Sequence, residues 1–555
     1  MDDSKKQDSR GMSRREALKI SGLALGGLAS AIICPKTGKA QAAESCPCSE
    51  PDIGCTWYNP DKYDYTAYPE SQRYSYFEGL PYFYPFYESS TTVAPLGSDE
   101  MRITFMGSMI PAVRRAQQEM SIFVEVGWDE DKKMPLDQFV FDCGSGVCGN
   151  YGAMNVGYGR MDKVFLAHLH GDHMSDLTHI YCFGPSGDRK TPLYVWGPSP
   201  SGVRSPAPPR RLYNDGTNSF CQLLREACRW HSESFSFQTT MWPGYPSQKE
   251  IQKEWGLPCR PTPVSDDPWG DAYCMVPIEL DWTKKGRIPG DNIAYLNKST
   301  GVKITHFPVI HTRRGSIGYK LEWWPPGTNM KDPKQALSMI YTSDTKPETN
   351  CLEQACNKGH GVTVFIHEMV VPPNIWSMKT NETRNFTPGK DLPPDSDNET
   401  VQAMTTVQNS SHTPQGAFGY LMTQINPRPR LTVATHFPIA DDTVACAMNS
   451  VQEHFPDNDV YQGNTEPDGL RDDPIRMTWS FDLMVITASK DTIIEQQGYV
   501  SSFGFSPSVN LPSGTPYPPK YHDENGDGDP YAQIDRATEI DSCENGACNF
   551  REDGY

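Results

Sequence analysis

The sequence predicts a loop-rich α/β fold in which short strands alternate with turns and a few helices. Proline and glycine number 48 and 45 of 555 residues, about 17% of the chain against a usual value near 12%, which favours turns over long helices. Short apolar or alternating segments bounded by turn residues recur from residue 101 onward, as strands do. One of them, Lys163–His170, runs into a glycine turn and then a helical segment from Met174.

Composition and charge exclude two broad classes of protein. No window beyond the N-terminus holds the roughly 18 apolar residues of a membrane span, so a polytopic membrane protein is excluded. The formal charge of −19 opposes the approach of a phosphate backbone, and no local basic patch offsets it. Nucleic acid is therefore disfavoured as a partner.

The N-terminus resembles a twin-arginine signal peptide. Arg14 and Arg15 precede the apolar run 20–33, and Ala40–Ala42 supplies small residues before a cut at Ala43. We expect the twin-arginine export machinery to carry the chain to the periplasm or beyond, and residues 1–42 to be removed, leaving no membrane span. A retained signal anchor is the alternative, which the short, Gly- and Ala-rich core disfavours.

The cysteine content agrees with an oxidising compartment. Sixteen cysteines are many for a cytosolic protein, and loss of Cys34 with the signal would leave an odd number, so at least one thiol has no partner within the chain. Connectivity cannot be deduced from spacing. Four pairs lie close in sequence: Cys46/Cys48, Cys143/Cys148, Cys351/Cys356 and Cys543/Cys548.

The remaining chain divides by composition. Residues 43–98 are rich in Tyr and Pro and predict an arm packed on the body, and residues 99–510 form the main domain. Within it, residues 201–298 lack periodicity and predict an insertion able to roof a site. The predicted strands are 101–107, 121–126, 138–141, 163–170, 192–196, 302–310, 318–324, 336–342, 362–366 and 431–434.

The C-terminal tail, residues 511–555, is polar and acidic. Asp523–Asp529 resembles the first half of a calcium loop, but Ile534 stands where such a loop needs Glu. A solvated acidic tail is the favoured interpretation, with calcium binding as the alternative.

The strongest chemical signal is the H-x-H-x-D-H segment from His168 to His173. In a chain with 13 histidines a chance match is below roughly one in a thousand. Residues i and i+2 at a strand end point the same way, so His168 and His170 can bind one metal, while a turn at Gly171 brings Asp172 and His173 to a second. Two such ions can share one hydroxide and make a nucleophile at neutral pH.

These residues resemble the metallo-β-lactamase superfamily, in its ribonuclease Z and arylsulfatase-like branch, over roughly residues 101–440. The resemblance implies a four-layer αβ/βα sandwich carrying a large insertion and terminal extensions. His311 precedes a strand that opens Gly-Tyr, Asp344 follows a predicted strand, and His436 stands in Thr-His-Phe-Pro. The implied ligands are His168, His170 and His311 for the first metal, and Asp172, His173 and His436 for the second, with Asp344 bridging.

Further matches imply catalytic groups. His367-Glu368 resembles the His-Glu pair of ribonuclease Z-like proteins, and His412 resembles the histidine that protonates the leaving group. Asp172 would orient and deprotonate the bridging hydroxide. His306 is a rival of His311 as ligand, and Asp142 is expected to hydrogen-bond a ligand histidine.

The implied cofactors are two divalent ions, zinc above all because imidazole dominates the ligand set; Mn²⁺ and Fe²⁺ are the alternatives. Oxygen-reducing diiron relatives carry Glu at the position of His170, which disfavours redox chemistry.

The sequence thus predicts an exported dinuclear hydrolase of a small-molecule phosphodiester, sulfate ester or lactone. The alternatives are a ribonuclease Z-like endonuclease and a metal-loaded, non-catalytic binding module. The chain is also similar to an exported subgroup named for guanitoxin biosynthesis. Substrate and oligomeric state are left open.

Overall fold

The structure is a computed structural model. It describes residues 80, 82–83, 85, 94–111, 117–234, 248–257, 264, 272–371, 399–438, 447, 450–451, 454, 460–461 and 475–498. The predicted signal peptide, most of the N-terminal arm and the acidic tail with its calcium-like loop lie outside these residues and stay predictions.

A first mixed sheet contains nine described strands in the order β1-β17-β16-β2-β3-β4-β5-β6-β7. Its antiparallel part runs from β16 through β4, and its parallel part runs from β4 through β7. The bounds are β1 Tyr82–Phe83, β2 Met101–Gly107, β3 Ser121–Val126, β4 Asp137–Phe141, β5 Lys163–Phe165, β6 Leu193–Pro198, β7 Met275–Leu280, β16 Met484–Ala488 and β17 Ile493–Gly498.

A second mixed sheet contains eight described strands in the order β14-β15-β13-β12-β11-β10-β9-β8. The strands β11, β12, β13 and β15 are parallel, whereas β8 to β11 are antiparallel. The bounds are β8 Ile293–Asn297, β9 Val302–Pro308, β10 Ile317–Trp323, β11 Leu337–Tyr341, β12 Val364–Glu368, β13 Leu431–Thr435, β14 Val460–Tyr461 and β15 Ile475–Trp479.

Helices cover the outer faces of both sheets. The described helices are α1 Val147–Ala153, α2 Gly171–Met174, α3 Leu177–Phe183, α4 Thr217–Ala227, α5 Arg229–Ser234, α6 Gln248–Glu254, α7 Thr349–Cys356, α8 Glu399–Ser411 and α9 Gln415–Gln424. None of the described helices is long and apolar enough to cross a membrane.

Three hydrophobic clusters define the layers. The largest joins both sheets, for example Phe141 and Phe165 with Tyr319 and Tyr341. A second packs the outer face of the second sheet against α7 and α9, and a third packs the outer face of the first sheet against α1, α3 and α4. Helix, sheet, sheet and helix therefore follow one another, which confirms the predicted four-layer sandwich.

The segment predicted as an insertion is partly structural. Residues 201–298 contain β7, an edge strand of the first sheet, and β8, an edge strand of the second. The prediction that sheet strands resume only at residue 302 was therefore wrong, because the Pro- and Trp-rich stretch hid two short strands. Deleting 201–298 as a unit would remove an edge strand from each sheet.

Candidate metal centre

The residues singled out in the sequence follow the carboxyl ends of parallel strands in both sheets. In the first sheet, Asp142 comes directly after β4 and the His168–His173 segment follows β5. In the second sheet, Asp344 follows β11 and His436 comes directly after β13. The same edge of each sheet therefore supplies the site.

The two leading histidines lie in a loop and not at a strand end. β5 stops at Phe165, and His168 and His170 lie between it and α2, whose first turn carries Asp172 and His173. The strand-parity argument was therefore wrong, but the pairing it predicted is present: His168 Nε2 lies 3.1 Å from His170 Nδ1.

The first group of donors consists of three imidazoles. His311 Nε2 lies 3.0 Å from His170 Nδ1, so the donor atoms of His168, His170 and His311 lie within 4.8 Å of one another. Burial lowers the pKa of His168 well below its ordinary value and that of His170 to about 4. These rings are therefore neutral near pH 7, the state in which imidazole binds a metal.

The second group adds carboxylates. The distances from His173 Nε2 are 3.2 Å to Asp172 Oδ2 and 3.3 Å to Asp344 Oδ1. His436 Nε2 lies 3.2 Å from Asp172 Oδ2 and 3.5 Å from Asp344 Oδ1. The other oxygen of Asp344, Oδ2, lies 3.7 Å from His311 Nε2. Asp344 therefore has one oxygen toward each group, as the predicted bridge requires.

The donor set fits two divalent cations. His173 Nε2 and Asp344 Oδ1 lie 3.3 Å apart, but neither atom makes a hydrogen bond of suitable geometry, although each group is almost fully buried, with His173 0% and Asp344 3% exposed. Leaving such atoms without a partner is costly, and a cation satisfies them. Three imidazoles in one group, and two imidazoles with two carboxylates in the other, match the N and O ligands that Zn²⁺ accepts.

Asp142 fixes the orientation of one ligand from behind. Its Oδ2 lies 2.8 Å from His173 Nδ1 and accepts from the Tyr341 hydroxyl at 2.6 Å, while its Oδ1 accepts from the Ala167 N–H at 2.8 Å. Because Nδ1 of His173 donates to this carboxylate, Nε2 is left as the metal-binding nitrogen. The predicted role of Asp142 agrees with these contacts.

Three residues of the site have left-handed backbone conformation. The φ angles are 56° for Asp142, 54° for Ser343 and 56° for His436, a region that non-glycine residues rarely adopt and that costs about 1–3 kcal/mol each. Close approach also explains Gly144, where a Cβ would meet the carbonyl oxygen of Asp172 at 2.1 Å. The strand ends are thus bent to aim their side chains into the site.

His412 and Glu368 form a pair beside the second group. His412 Nδ1 lies 2.8 Å from Glu368 Oε2 and 4.0 Å from Asp344 Oδ2. Burial alone would lower the pKa of His412, but the Glu368 carboxylate raises it above its ordinary value. Since Nδ1 is engaged by Glu368, Nε2 is the nitrogen that can donate a proton to a bound molecule. Asp344, Glu368, His412 and His436 also lie close enough to one another to be potential metal ligands.

His367 does not join the site. It is fully buried beside the ring of Phe418, which belongs to the cluster on the outer face of the second sheet, and its Nδ1 lies 2.7 Å from the carbonyl oxygen of Glu368. Alternation along β12 sends Glu368 toward the metal ligands and His367 away from them. The catalytic role predicted for His367 is therefore wrong, because its side chain faces away from the metal ligands.

Of the two histidines considered as the third ligand of the first metal, His311 lies in the site and His306 does not. His306 lies within β9, and its Nε2 lies 2.9 Å from the carbonyl oxygen of Asp281. His311 lies in the loop after β9, and its Nδ1 contacts the carbonyl oxygen of Ser411 at 3.0 Å, which directs Nε2 to the first group.

Sequence comparison finds ribonucleases as relatives, while no family model matches the chain. Ribonuclease BN of Proteus mirabilis is 28% identical over 99 residues, covering 18% of this chain and 31% of that protein. Ribonuclease Z of Treponema denticola is 36% identical over 62 residues, covering 11% and 20%. Ribonuclease Z of Halalkalibacterium halodurans is 23% identical over 236 residues, covering 42% and 65%. The alignments thus span less than two thirds of each relative.

Solved structures to which the chain is similar include the metallo-β-lactamase fold protein YhfI from Bacillus subtilis, with TM-score 0.36, 11% identity and coverage of 70% of this chain and 100% of that one. The long form of RNase Z from yeast has TM-score 0.36, 12% identity and coverage of 71% and 42%.

The sandwich and the metal-ligand groups agree with what the resemblance to the metallo-β-lactamase superfamily implies. The sequence relatives are ribonucleases. They are the ribonuclease Z and ribonuclease BN proteins named above.

Proposed function

We propose that the protein is an exported hydrolase that uses two divalent metal ions, preferably zinc, to hydrolyse a small ester-type molecule. The observation that carries the proposal is the shared carboxylate: Asp344 directs Oδ1 toward His173 and His436, and Oδ2 toward His311. A carboxylate between two donor groups is the arrangement expected of a dinuclear site.

The chain's own residues divide the work. His168, His170 and His311 would hold one ion, and Asp172, His173 and His436 the other, with Asp344 between them. When bound, the ions would supply Lewis-acid activation of water and of the scissile bond. Asp172 lies at the centre of the second group, where its carboxylate can orient the attacking water and take its proton.

The leaving group would receive its proton from His412. Glu368 holds Nδ1 of this ring at 2.8 Å and favours the protonated imidazole, so a proton is available on Nε2. The backbone N–H of Thr345 also donates to Glu368, which fixes the carboxylate that positions His412. Glu368 is thus a positioning residue.

An ester-type substrate is supported by the combination of an acid and a metal pair. Phosphodiesters, sulfate esters and lactones all need a water nucleophile, stabilisation of a developing oxyanion and protonation of an alkoxide. Manganese or iron in place of zinc would serve the same scheme, because the second group contains hard carboxylate ligands.

A second candidate is ribonuclease Z-like endonuclease activity, which the named sequence relatives favour. The charge of −19 opposes it, because binding a polyanion rests on cationic contacts. A metal-loaded binding module without activity is the third candidate, and the presence of an acid in addition to the ligands argues against it.

The deciding experiment couples metal analysis to a substrate panel. Protein stripped with a chelator and reloaded with Zn²⁺, Mn²⁺ or Fe²⁺ is assayed on a phosphodiester, an aryl sulfate, a lactone and a precursor transfer RNA. We expect about two ions per chain and metal-dependent turnover of a small ester. Cleavage of the RNA alone would favour the endonuclease, and two bound ions without any turnover would favour the binding module.

Two variants sharpen this test. Asp344→Asn removes the charge between the two donor groups and should lower both metal content and turnover. His306→Gln changes a histidine that is equally buried, with 2% of its surface exposed against 3% for Asp344, but lies outside the site, and should leave metal content unchanged. Equal metal loss in both variants would mean that it reflects unfolding.

Export belongs to the same proposal. The twin-arginine route carries folded proteins, which suits a chain that must acquire its ions before it crosses the membrane. The periplasm or the exterior would then be the place of action, and the exported subgroup within the ribonuclease Z-like branch its place in the family.

A further inference from the structure

Two cysteines from different helices meet on the outer face of the first sheet. Cys182 lies in α3, and Cys228 directly follows α4. Both pack in the hydrophobic cluster that covers this face, and their sulfur atoms are close enough for the thiols to share a hydrogen bond. Their separation in sequence gives no sign of this contact.

The surrounding contacts hold the two cysteines in place. His231 Nε2 lies 2.7 Å from the carbonyl oxygen of Cys182, and the His231 ring lies 5.1 Å from that of Phe183. The N–H of Cys228 donates to the carbonyl of Leu224 at 3.0 Å. Contacts that do not depend on sulfur therefore join α3 to α5, the helix that begins at the residue after Cys228.

We propose that Cys182 and Cys228 form a disulfide bond when the protein meets an oxidising disulfide, linking α4 covalently to α3. Both are thiols in the structure. The link would matter for the site because α3 follows directly on α2, the turn that carries Asp172 and His173. It is a covalent modification site separate from the metal ligands, and the proposal does not depend on the hydrolase activity.

The chemistry is that of thiol–disulfide exchange. The hydrogen bond from Cys182 lowers the pKa of Cys228 to about 7, so a substantial fraction is thiolate at neutral pH. Cys228 is also the more accessible of the two, since it is partly exposed whereas Cys182 is buried. Cys228 is therefore the attacking thiol.

The electrons and protons balance with oxidised glutathione as oxidant. The Cys228 thiolate attacks one glutathione sulfur, forms a mixed disulfide and releases the first glutathione thiol. Cys182 then loses its proton and attacks the sulfur of Cys228, which releases the second. The protein loses two protons and two electrons, and the oxidant gains them.

The test uses the full chain, equilibrated with oxidised or reduced glutathione, alkylated, digested and mapped by mass spectrometry. We expect a linked peptide pair containing Cys182 and Cys228 only after oxidation. Thermal unfolding should shift upward by at least about 2 °C on oxidation, because the bond restricts the unfolded chain. Reduction with dithiothreitol should reverse both changes.

Variants separate this bond from other thiol chemistry. Cys182→Ser and Cys228→Ser should each abolish the linked pair and the shift, whereas Cys221→Ser should retain both. Cys221 is a matched control, because it lies in α4 and is fully buried.

Three results would overturn the proposal: both thiols still open to alkylation after oxidation, a bond mapped to Cys143–Cys148 instead, or an oxidation shift that persists in Cys228→Ser. Mapping of the unsubstituted protein decides the matter even if a variant fails to fold.

Discussion

Replacing Asp142 with Asn tests whether orientation of His173 governs metal binding. Three donors converge on Oδ2 of Asp142: His173 Nδ1 at 2.8 Å, the Tyr341 hydroxyl at 2.6 Å and the Ser343 hydroxyl at 3.3 Å. The Ala167 N–H donates to Oδ1 of Asp142 at 2.8 Å. An Asn amide has one acceptor oxygen, so in either orientation its NH₂ group must face a donor.

With the NH₂ group toward Ala167, that N–H loses its acceptor and His173 keeps only a neutral amide oxygen as partner. With the NH₂ group toward His173, the hydroxyls can rotate and accept, but His173 can accept at Nδ1 only by moving its proton to Nε2. That tautomer cannot bind a metal through Nε2. Loss of such an orienting partner typically weakens metal affinity by about 10–100-fold, or roughly 1.4–2.7 kcal/mol. Asn also suits the left-handed backbone at this position, where φ is 56°, so little extra backbone strain is expected.

The assay is competitive Zn²⁺ titration of the apo protein against a chromophoric chelator, with binding of the second ion as the readout. Asp137→Asn is the matched control: Asp137 begins β4, the strand that Asp142 follows, and its carboxylate accepts from Tyr295 and Thr300 at 2.7 and 2.9 Å. Asp137→Asn should lower stability without changing zinc affinity. Unchanged affinity in Asp142→Asn, or equal loss in both variants, would refute the reasoning.

Three further predictions concern the roles of His311 and His412, the pH dependence of stability, and export. His311→Ala should lower metal occupancy, whereas His412→Ala should keep two ions and reduce turnover by about 10²–10⁴, with a smaller deficit for substrates with good leaving groups. Metal analysis together with a series of substrates of different leaving groups checks this prediction. Metal loss in His412→Ala would contradict it. Burial raises the pKa of Asp482 to about 7, so the folded state keeps a proton that the unfolded chain has released, and stability should fall as pH rises from about 4 to about 7 and then level off. Asp482→Asn should flatten this dependence in urea titrations, and an unchanged slope would rule out Asp482 as its source. Replacing Arg14 and Arg15 with Lys should leave the protein in the cytoplasm on fractionation, and normal arrival in the periplasm would exclude the twin-arginine route.

The metal ligands could be identified from the sequence because their chemistry is dense and local. The segment His168–His173 places four potential ligands within one turn of chain, and burial of so many polar groups has few explanations other than a metal. Asp344 and His436 were identified through the resemblance to the metallo-β-lactamase superfamily, and each lies just after an apolar strand. The buried strands β2, β3, β12 and β13 were predicted to within two residues, since burial on both faces leaves a strong signal.

Other features depend on contacts that no local pattern encodes. β7 and β8 are edge strands in a stretch without periodicity, and only their neighbours in the two sheets define them. His367 stands next to Glu368 in sequence, yet strand alternation sends it to the opposite face. The contact of Cys182 with Cys228 depends on how α4 packs on the first sheet, which spacing along the chain does not contain.

The two donor groups draw on strand ends from both sheets, so the site is complete only when the sheets have docked. Folding and metal uptake are therefore thermodynamically linked, and each tenfold rise in free metal above the dissociation constant should add about 1.4 kcal/mol per ion to the stability of the sandwich. Removing the metal with a chelator would destabilise the packing of the two sheets on each other before it destabilised either sheet alone. Hydrogen exchange should then accelerate first at the ends of β5, β11 and β13, with the interiors of the sheets retaining their protection.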